Sequence, residues 1–267
     1  MLAPRLALIL AALALPTAAH AGGDAAAGAA KALACQACHI SVNPASETPH
    51  LVGQRPGYVA SQLKAFRAGD RKHELMHAIA AQLSDADIDN LAAYWGSQPA
   101  GSDTAVPAAA AAIKKSAMPF PAAFPQGFTA YHSEQVAEQK LVSRSYVNAI
   151  GLAAARAGKP LPDGTIILVV SYAAKLDAAG QPIAGKDGAW QVDKPVSYSG
   201  MEARAGWGKD LPELLRNGTW QYNLFTADKQ PRTELNHAAC LACHKPAAAT
   251  SFVFGLAQIQ AAAGGAR

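Results

Sequence analysis

What the 267-residue sequence lacks bounds it quickly. Past the first 21 residues there is no apolar run approaching the roughly 20 residues that cross a bilayer, so no membrane span is expected in the mature chain. There is no Lys/Arg cluster and no interleaving of basic and aromatic residues, and the formal net charge is only +4, which excludes nucleic acid as a partner. Only 16% of residues are charged against 51% hydrophobic, many of them alanine. Methionine and cysteine number four each, and the cysteines occur nowhere outside two short units.

The first 21 residues are a separate matter. Arg5 precedes an apolar run from Leu6 to Leu15, and Ala19-His20-Ala21 has the small-x-small form of a cleavage site. This is the pattern of a secretory signal peptide removed after Ala21, and the run is too short for a comfortable anchor. The mature protein is therefore expected in a periplasm.

An exported chain with four cysteines ordinarily suggests disulfides. Here they form Cys35-Gln36-Ala37-Cys38-His39 and Cys240-Leu241-Ala242-Cys243-His244. Cys-x-x-Cys-His is the spacing of covalent haem c attachment. Two cysteines three apart share one face of a helical turn and can bond both vinyl groups of one porphyrin, and the adjacent histidine reaches the iron from that side. A redox dithiol or a zinc ribbon would use such pairs too, but the wide separation and the repeated histidine count against both. The expectation is two covalently bound haems c, with Cys35, Cys38, Cys240 and Cys243 as attachment points and His39 and His244 as iron ligands.

A composition shift divides the chain. The stretch from Gly96 to Pro119 is rich in Ala, Pro, Gly and Ser and reads as a linker, set at 98–117. The part before it, 22–97, reads as all-helical. An Ala-rich helix delivers the first motif at its end. "GYVASQLKAFRAG" places Val59, Leu63 and Phe66 on one face and stops at Gly69. "LSDADIDNLAAYWG" opens with Ser84 as N-cap and Asp87 three residues on, followed by an Ile88/Leu91/Ala92/Trp95 stripe. The part after the linker, 118–267, reads as α+β with an antiparallel sheet. A helix is expected over Ser145–Ala157, then strands in "DGTIILVVSYAAKLD", "AWQVDKPVSYSGMEAR" and "TWQYNLFTADKQP", with the second motif on a short helix after them.

Axial ligands decide what a haem does. A methionine thioether opposite histidine closes the iron and raises its potential, which suits electron transfer. The 22–97 part holds one methionine, Met76, flanked by His73 and His77, which are competing ligands. The stretch "ACQACH…TPHLVGQRPGYVASQLKAFRAGDRKHELMHAIAAQLSDADIDNLAAYW" resembles a small bacterial class I cytochrome c over essentially this whole part. The resemblance implies His39 and Met76 as axial ligands, with Pro49 packing near His39.

The second motif is different. Only 23 residues follow His244, none of them methionine. Met118, Met201, His132 and His237 are the remaining candidates for a sixth ligand, and none is evident as one. An iron with one protein ligand can bind or activate a small molecule. The stretches "LPDGTIILVVSY", "GMEARAGWGKDLPELLRNGTWQYNLFTAD" and "AACLACHKPAAATSFVFGL" resemble the cytochrome P-460 family, which includes the cytochromes c′-beta, over roughly 120–256. The resemblance implies a mainly antiparallel β fold and a covalent haem with His244 proximal and an open distal face. It also implies hydroxylamine oxidation in the P-460 branch or nitric oxide binding in the c′-beta branch. The oxidising members carry a lysine crosslinked to the porphyrin. Here Val169 and Val170 occupy the strand where charges often follow "DGT", leaving Lys175 first and Lys194 second as crosslink candidates. Glu202, Arg204, Asp210 and Glu213 are the acid–base candidates around "GWG".

The functional expectation is a periplasmic dihaem c-type cytochrome. The second haem binds or oxidises a hydroxylamine-like or nitrogen-oxide species, and the first passes electrons to a soluble carrier or terminal oxidase. As an enzyme it would be an oxidoreductase of the hydroxylamine-oxidising type. The alternatives are a nitric-oxide binding or sensing protein, or a plain carrier with two closed haems. A dihaem peroxidase would need a larger helical two-domain pattern, which is not visible.

Overall fold

The computed structural model describes residues 22–39, 48–99, 113, 115–233 and 235–264. The expected signal peptide and most of the expected linker lie outside them.

The helical region has four helices, α1 (Ala25–His39), α2 (Pro56–Ala68), α3 (Glu74–Ala80) and α4 (Asp85–Ser97). The end signals read in the sequence operate as expected. Proline opens α2, where the missing N–H costs nothing, and Gly69 closes it in the left-handed region at φ 80°. Ser84 and Asp87 form a reciprocal capping box on α4. The stripe Ile88, Leu91, Ala92 and Trp95 is buried with Val52, Val59 and Ala32. Helices α1 and α4 touch at Gly28, where a Cβ would stand 2.1 Å from the Asn90 carbonyl oxygen, so no larger residue fits without moving the helices apart.

The sheet region is a five-stranded antiparallel meander: β1 (Phe128–Val136), β2 (Leu141–Asn148), β3 (Ile166–Ala174), β4 (Val192–Ala203) and β5 (Trp220–Thr226), in that spatial order. Helix α5 (Ala149–Arg156) follows β2, and α6 (His237–His244) and α7 (Leu256–Gly264) follow β5. Two strands not read in the sequence, β1 and β2, precede the expected ones. The expected helix at Ser145–Ala157 begins later, because Ser145 to Asn148 complete β2 and Asn148 caps α5 by accepting from the Gly151 N–H at 3.1 Å. The alternation of β2, with Val142, Ser145 and Val147 buried, outcompetes the helix-forming alanines downstream.

The sheet is covered on both faces. Phe120 and Phe124, from the segment before β1, meet Tyr198, Phe225 and Tyr146 edge-to-face on one side, with Met118 and Leu168 in the same cluster. On the other side Val147, Ile167, Met201, Trp220 and Tyr222 pack under helices. That second cluster takes in Ala238, Leu241 and Ala242 of α6, Ala34 and Ala37 of α1, and Leu75 and Ile79 of α3. The helical region thus meets the sheet region where α1 and α3 pack against α6. Leu241, fully buried there, contributes roughly 2 kcal/mol by the area it removes from water.

Candidate haem centres

Each motif ends a helix, and each histidine is held the same way. The His39 Nδ1 is 2.7 Å from the Pro49 carbonyl oxygen. The His244 Nδ1 is 2.8 Å from the Phe252 carbonyl oxygen. Only a protonated Nδ1 can donate to a carbonyl, so both rings are fixed in the tautomer whose Nε2 carries a free lone pair. Burial lowers both imidazole pKa values, which keeps the rings neutral and able to ligate.

The thiols point the same way. Burial, and then the neighbouring Cys38, push the Cys35 thiol up to about 12, and burial raises Cys240. A redox dithiol needs the opposite shift. Among the described residues no group of three or more His, Cys, Asp or Glu side chains is arranged to hold a metal ion. The residues fit covalent attachment to a porphyrin better than either alternative.

Around the first motif, Met76 is half-buried on α3. Its flanking histidines are occupied elsewhere. His73 caps α3 by accepting the Met76 N–H at 3.3 Å, and His77 Nδ1 lies 2.8 Å from the Phe66 carbonyl oxygen.

The second motif is built by residues the sequence reading did not single out. Asn217 is fully buried and donates Nδ2 both to the Tyr222 hydroxyl at 3.0 Å and to the Leu241 carbonyl at 2.8 Å, tying β5 to α6. Lys245 donates Nζ to the Glu213 and Arg216 carbonyls at 2.6 and 2.7 Å. Arg216 in turn donates to the carbonyls of Gly208, Lys209 and Leu211. These bonds explain the "GWGKDLPELLRNGTW" stretch: it is a loop folded by its own Asn and Arg to hold the haem-motif helix. The signal available was an Asn-Gly turn just before a strand. The His244 ring lies between Tyr222, at 4.5 Å, and the exposed ring of Phe254, at 4.8 Å. A cavity of about 480 Å³ beside Cys240 is lined by Met118, Tyr222, Leu224 and Leu235 together with Lys115 and Arg232. Apolar walls with cations suit a flat apolar macrocycle that carries carboxylates.

Of the candidates for a sixth ligand, Met118 and His237 border this cavity and Met201 does not. Met118 and Met201 are core residues on opposite faces of the sheet. His132 is exposed on the edge strand β1. His237 is buried, packs edge-on against Trp207, and accepts the Tyr222 N–H through Nε2 at 3.1 Å. Glu202 faces away from Tyr222 and pairs with Arg204 and Gln221, while Asp210 and Glu213 are exposed.

Lys175 and Lys194 are not brought to this site. Tyr222, Met201 and Ile167 stand in register across the sheet beneath His244. Lys175 lies eight residues further along from Ile167, roughly 26 Å at the rise of a strand, exposed in a hairpin with Gln191. Lys194 is exposed on β4.

Two helix-borne attachment motifs with anchored histidines, one in a helical bundle and one against an antiparallel sheet, define a c-type cytochrome. Residues 121–255, half of the chain, match the cytochrome P460 family, and the chain belongs to it. The helical region is similar to cytochrome c4 of Pseudomonas aeruginosa, 42% identical over 92 residues, 34% of this chain and 46% of that one. It is 46% identical to cytochrome c-554(548) of Halomonas halodenitrificans over 81 residues, 28% of this chain and 98% of that one. A thiosulfate dehydrogenase electron acceptor of Thiomonas intermedia is 36% identical over 88 residues, 32% of this chain and 41% of that one. The chain spans about half the length of the cytochromes c4 it matches. The helical region is therefore a cytochrome c region, and both families imply haem c. No helix among the described residues is long and apolar enough to cross a membrane.

Proposed function

We propose that the protein is an exported dihaem cytochrome in which a small nitrogen species, hydroxylamine or nitric oxide, meets the second haem, and electrons pass through the first to a soluble carrier or terminal oxidase. Haem c held by Cys35/Cys38 and by Cys240/Cys243 would supply one-electron redox chemistry at the first site and small-molecule binding at the second. The observation that carries this reading is the contrast between the sites. Both histidines are anchored through Nδ1, but Met76 is half-buried on α3 in the region of the first motif, whereas around the second Met118 and Met201 pack in opposite core clusters and the His237 Nε2 already accepts the Tyr222 N–H.

The residues divide the work accordingly. His39 and His244 would offer neutral imidazoles to the two irons. Met76 would close the first site, and His73 caps the helix that carries it. Tyr222 and Phe254 flank His244 and limit its rotation. The similarity to a thiosulfate dehydrogenase electron acceptor supports the electron-transfer part of the reading. The placement of Lys175 favours reversible binding over the crosslink-dependent oxidation of the P-460 branch.

The test is nitric oxide titration of the purified, fully reduced full-length protein, with hydroxylamine turnover measured in parallel. Binding of one nitric oxide per chain, with the low-spin component unchanged, is expected. Two low-spin spectra and no ligand uptake in either oxidation state would sink the proposal in favour of a plain carrier.

A further inference from the structure

The two attachment helices are joined by one side chain. Asn236 caps α6 by accepting the Ala238 N–H through Oδ1 at 3.1 Å. Its Nδ2 donates to the Ala37 carbonyl at 2.9 Å and to the Cys38 Sγ at 3.1 Å. The same carboxamide therefore begins the helix of the second motif and ends on the sulfur of the first, across 198 residues of sequence. Around it the helices approach on small side chains, Ala34 and Ala37 against Ala238 and Ala242, all buried in one cluster.

We propose that Asn236 is the positioning residue that couples the two haem sites, fixing the α1–α6 docking and providing the shortest bonded route between Cys38 and Cys240. The inference rests on the two-haem reading above. The route runs from the Cys38 sulfur across one hydrogen bond to Asn236 and then along about one helical turn of covalent chain to Cys240. The step is a one-electron exchange: one iron is oxidised as the other is reduced, with no bond made or broken and no proton moved. The hydrogen bond draws electron density from the sulfur of the first attachment, which raises the potential of that site relative to an unbonded thioether. A mere helix cap would need only the Oδ1 acceptor. The Nδ2 contacts to Ala37 and Cys38 serve no purpose in capping.

Two substitutions separate the roles. Asn236→Asp and Asn236→Ser both retain an oxygen that caps the helix. Asp loses the N–H donor, and Ser is too short to reach Cys38. In each full-length variant the haem count, the thermal midpoint, the two midpoint potentials and the inter-haem electron-transfer rate after pulse-radiolytic reduction are measured. The expected result is two haems per chain, a thermal midpoint close to the parent, a lowered potential at the first site and a several-fold slower transfer. An unchanged rate and potential in both variants overturns the proposal. Should both variants lose haem or fold poorly, the unmodified protein decides. With 15N-labelled asparagine, the Asn236 side-chain amide protons must exchange slowly and shift on oxidation of the first haem, and fast exchange with no shift overturns the proposal. A haem count below two in the unmodified protein instead overturns the two-haem reading, and this inference with it.

Discussion

The Tyr222 ring lies 4.5 Å from the His244 ring, inclined by 36°, with its hydroxyl bound by the buried Asn217. The phenol backs the imidazole rather than competing with it. Burial raises the Tyr222 pKa, so its hydroxyl stays neutral, and it accepts from Asn217. Replacing Asn217 with alanine leaves the Tyr222 hydroxyl without its donor and takes one of two donors from the Leu241 carbonyl, which keeps the Lys245 N–H. At about 1–3 kcal/mol for an orphaned group, the variant is expected to be less stable by roughly 2 kcal/mol. Chemical denaturation of the holoprotein checks the loss, and a broadened or shifted Soret band reports the loosened His244.

Haem attachment gives the simplest prediction. Mass spectrometry of the intact protein is expected to show two haems, and Cys240→Ser combined with Cys243→Ser to leave one. Digestion should release Lys175 in an unmodified peptide, because it sits at the far end of β3 from Tyr222.

Met76 makes the first site distinguishable from the second. Met76→Ala is expected to abolish the weak red absorption of a thioether–iron bond and to lower the midpoint potential of that site, since the thioether favours the ferrous state. Nitric oxide uptake should rise from one to two per chain. His77→Ala, which removes only the contact to the Phe66 carbonyl, should leave the band in place.

Buried His237 makes stability depend on pH. Burial lowers its pKa from 6.5 to about 4, so between these values the unfolded chain binds more protons than the folded one. Its contribution is complete above pH 6.5, is lost as the pH falls toward 4, and levels off below that. The full span is worth about 3 kcal/mol at most. The thermal midpoint of His237→Gln should be lower than the parent at pH 7 and show a shallower decline through this window.

Ser84 tests the capping box. Ser84→Ala removes the acceptor for the Asp87 N–H and should cost about 1 kcal/mol, read as a small drop in thermal midpoint with unchanged spectra.

The two Cys-x-x-Cys-His units at helix ends, the capped helix α4, the left-handed stop at Gly69 and three of the five strands are all legible in the sequence. Each rests on spacing or a local end signal within a few residues. Strands β1 and β2 escaped because β1 is an edge strand, largely exposed, and β2 runs into a helix-forming alanine stretch that only the Asn148 cap separates from it. Asn217, Lys245 and Asn236 escaped for another reason. Each works by a hydrogen bond to a partner far along the chain, and a single polar residue in a turn carries no mark of where its side chain ends.

The sequence by itself determined that there are two Cys-x-x-Cys-His motifs and that one methionine, Met76, lies between the first of them and the Ala/Pro-rich stretch. Covalent and helical spacing are local, so they survive without a fold. Only the tertiary structure decided that the motifs, about two hundred residues apart, pack against each other through alanines and one asparagine, that Met118 and Met201 are buried on opposite faces of the sheet while the His237 Nε2 takes the Tyr222 N–H, and that Lys175 is carried away along β3. Those outcomes follow from which apolar faces the sheet and the helices bury together, and that is a property of the whole chain.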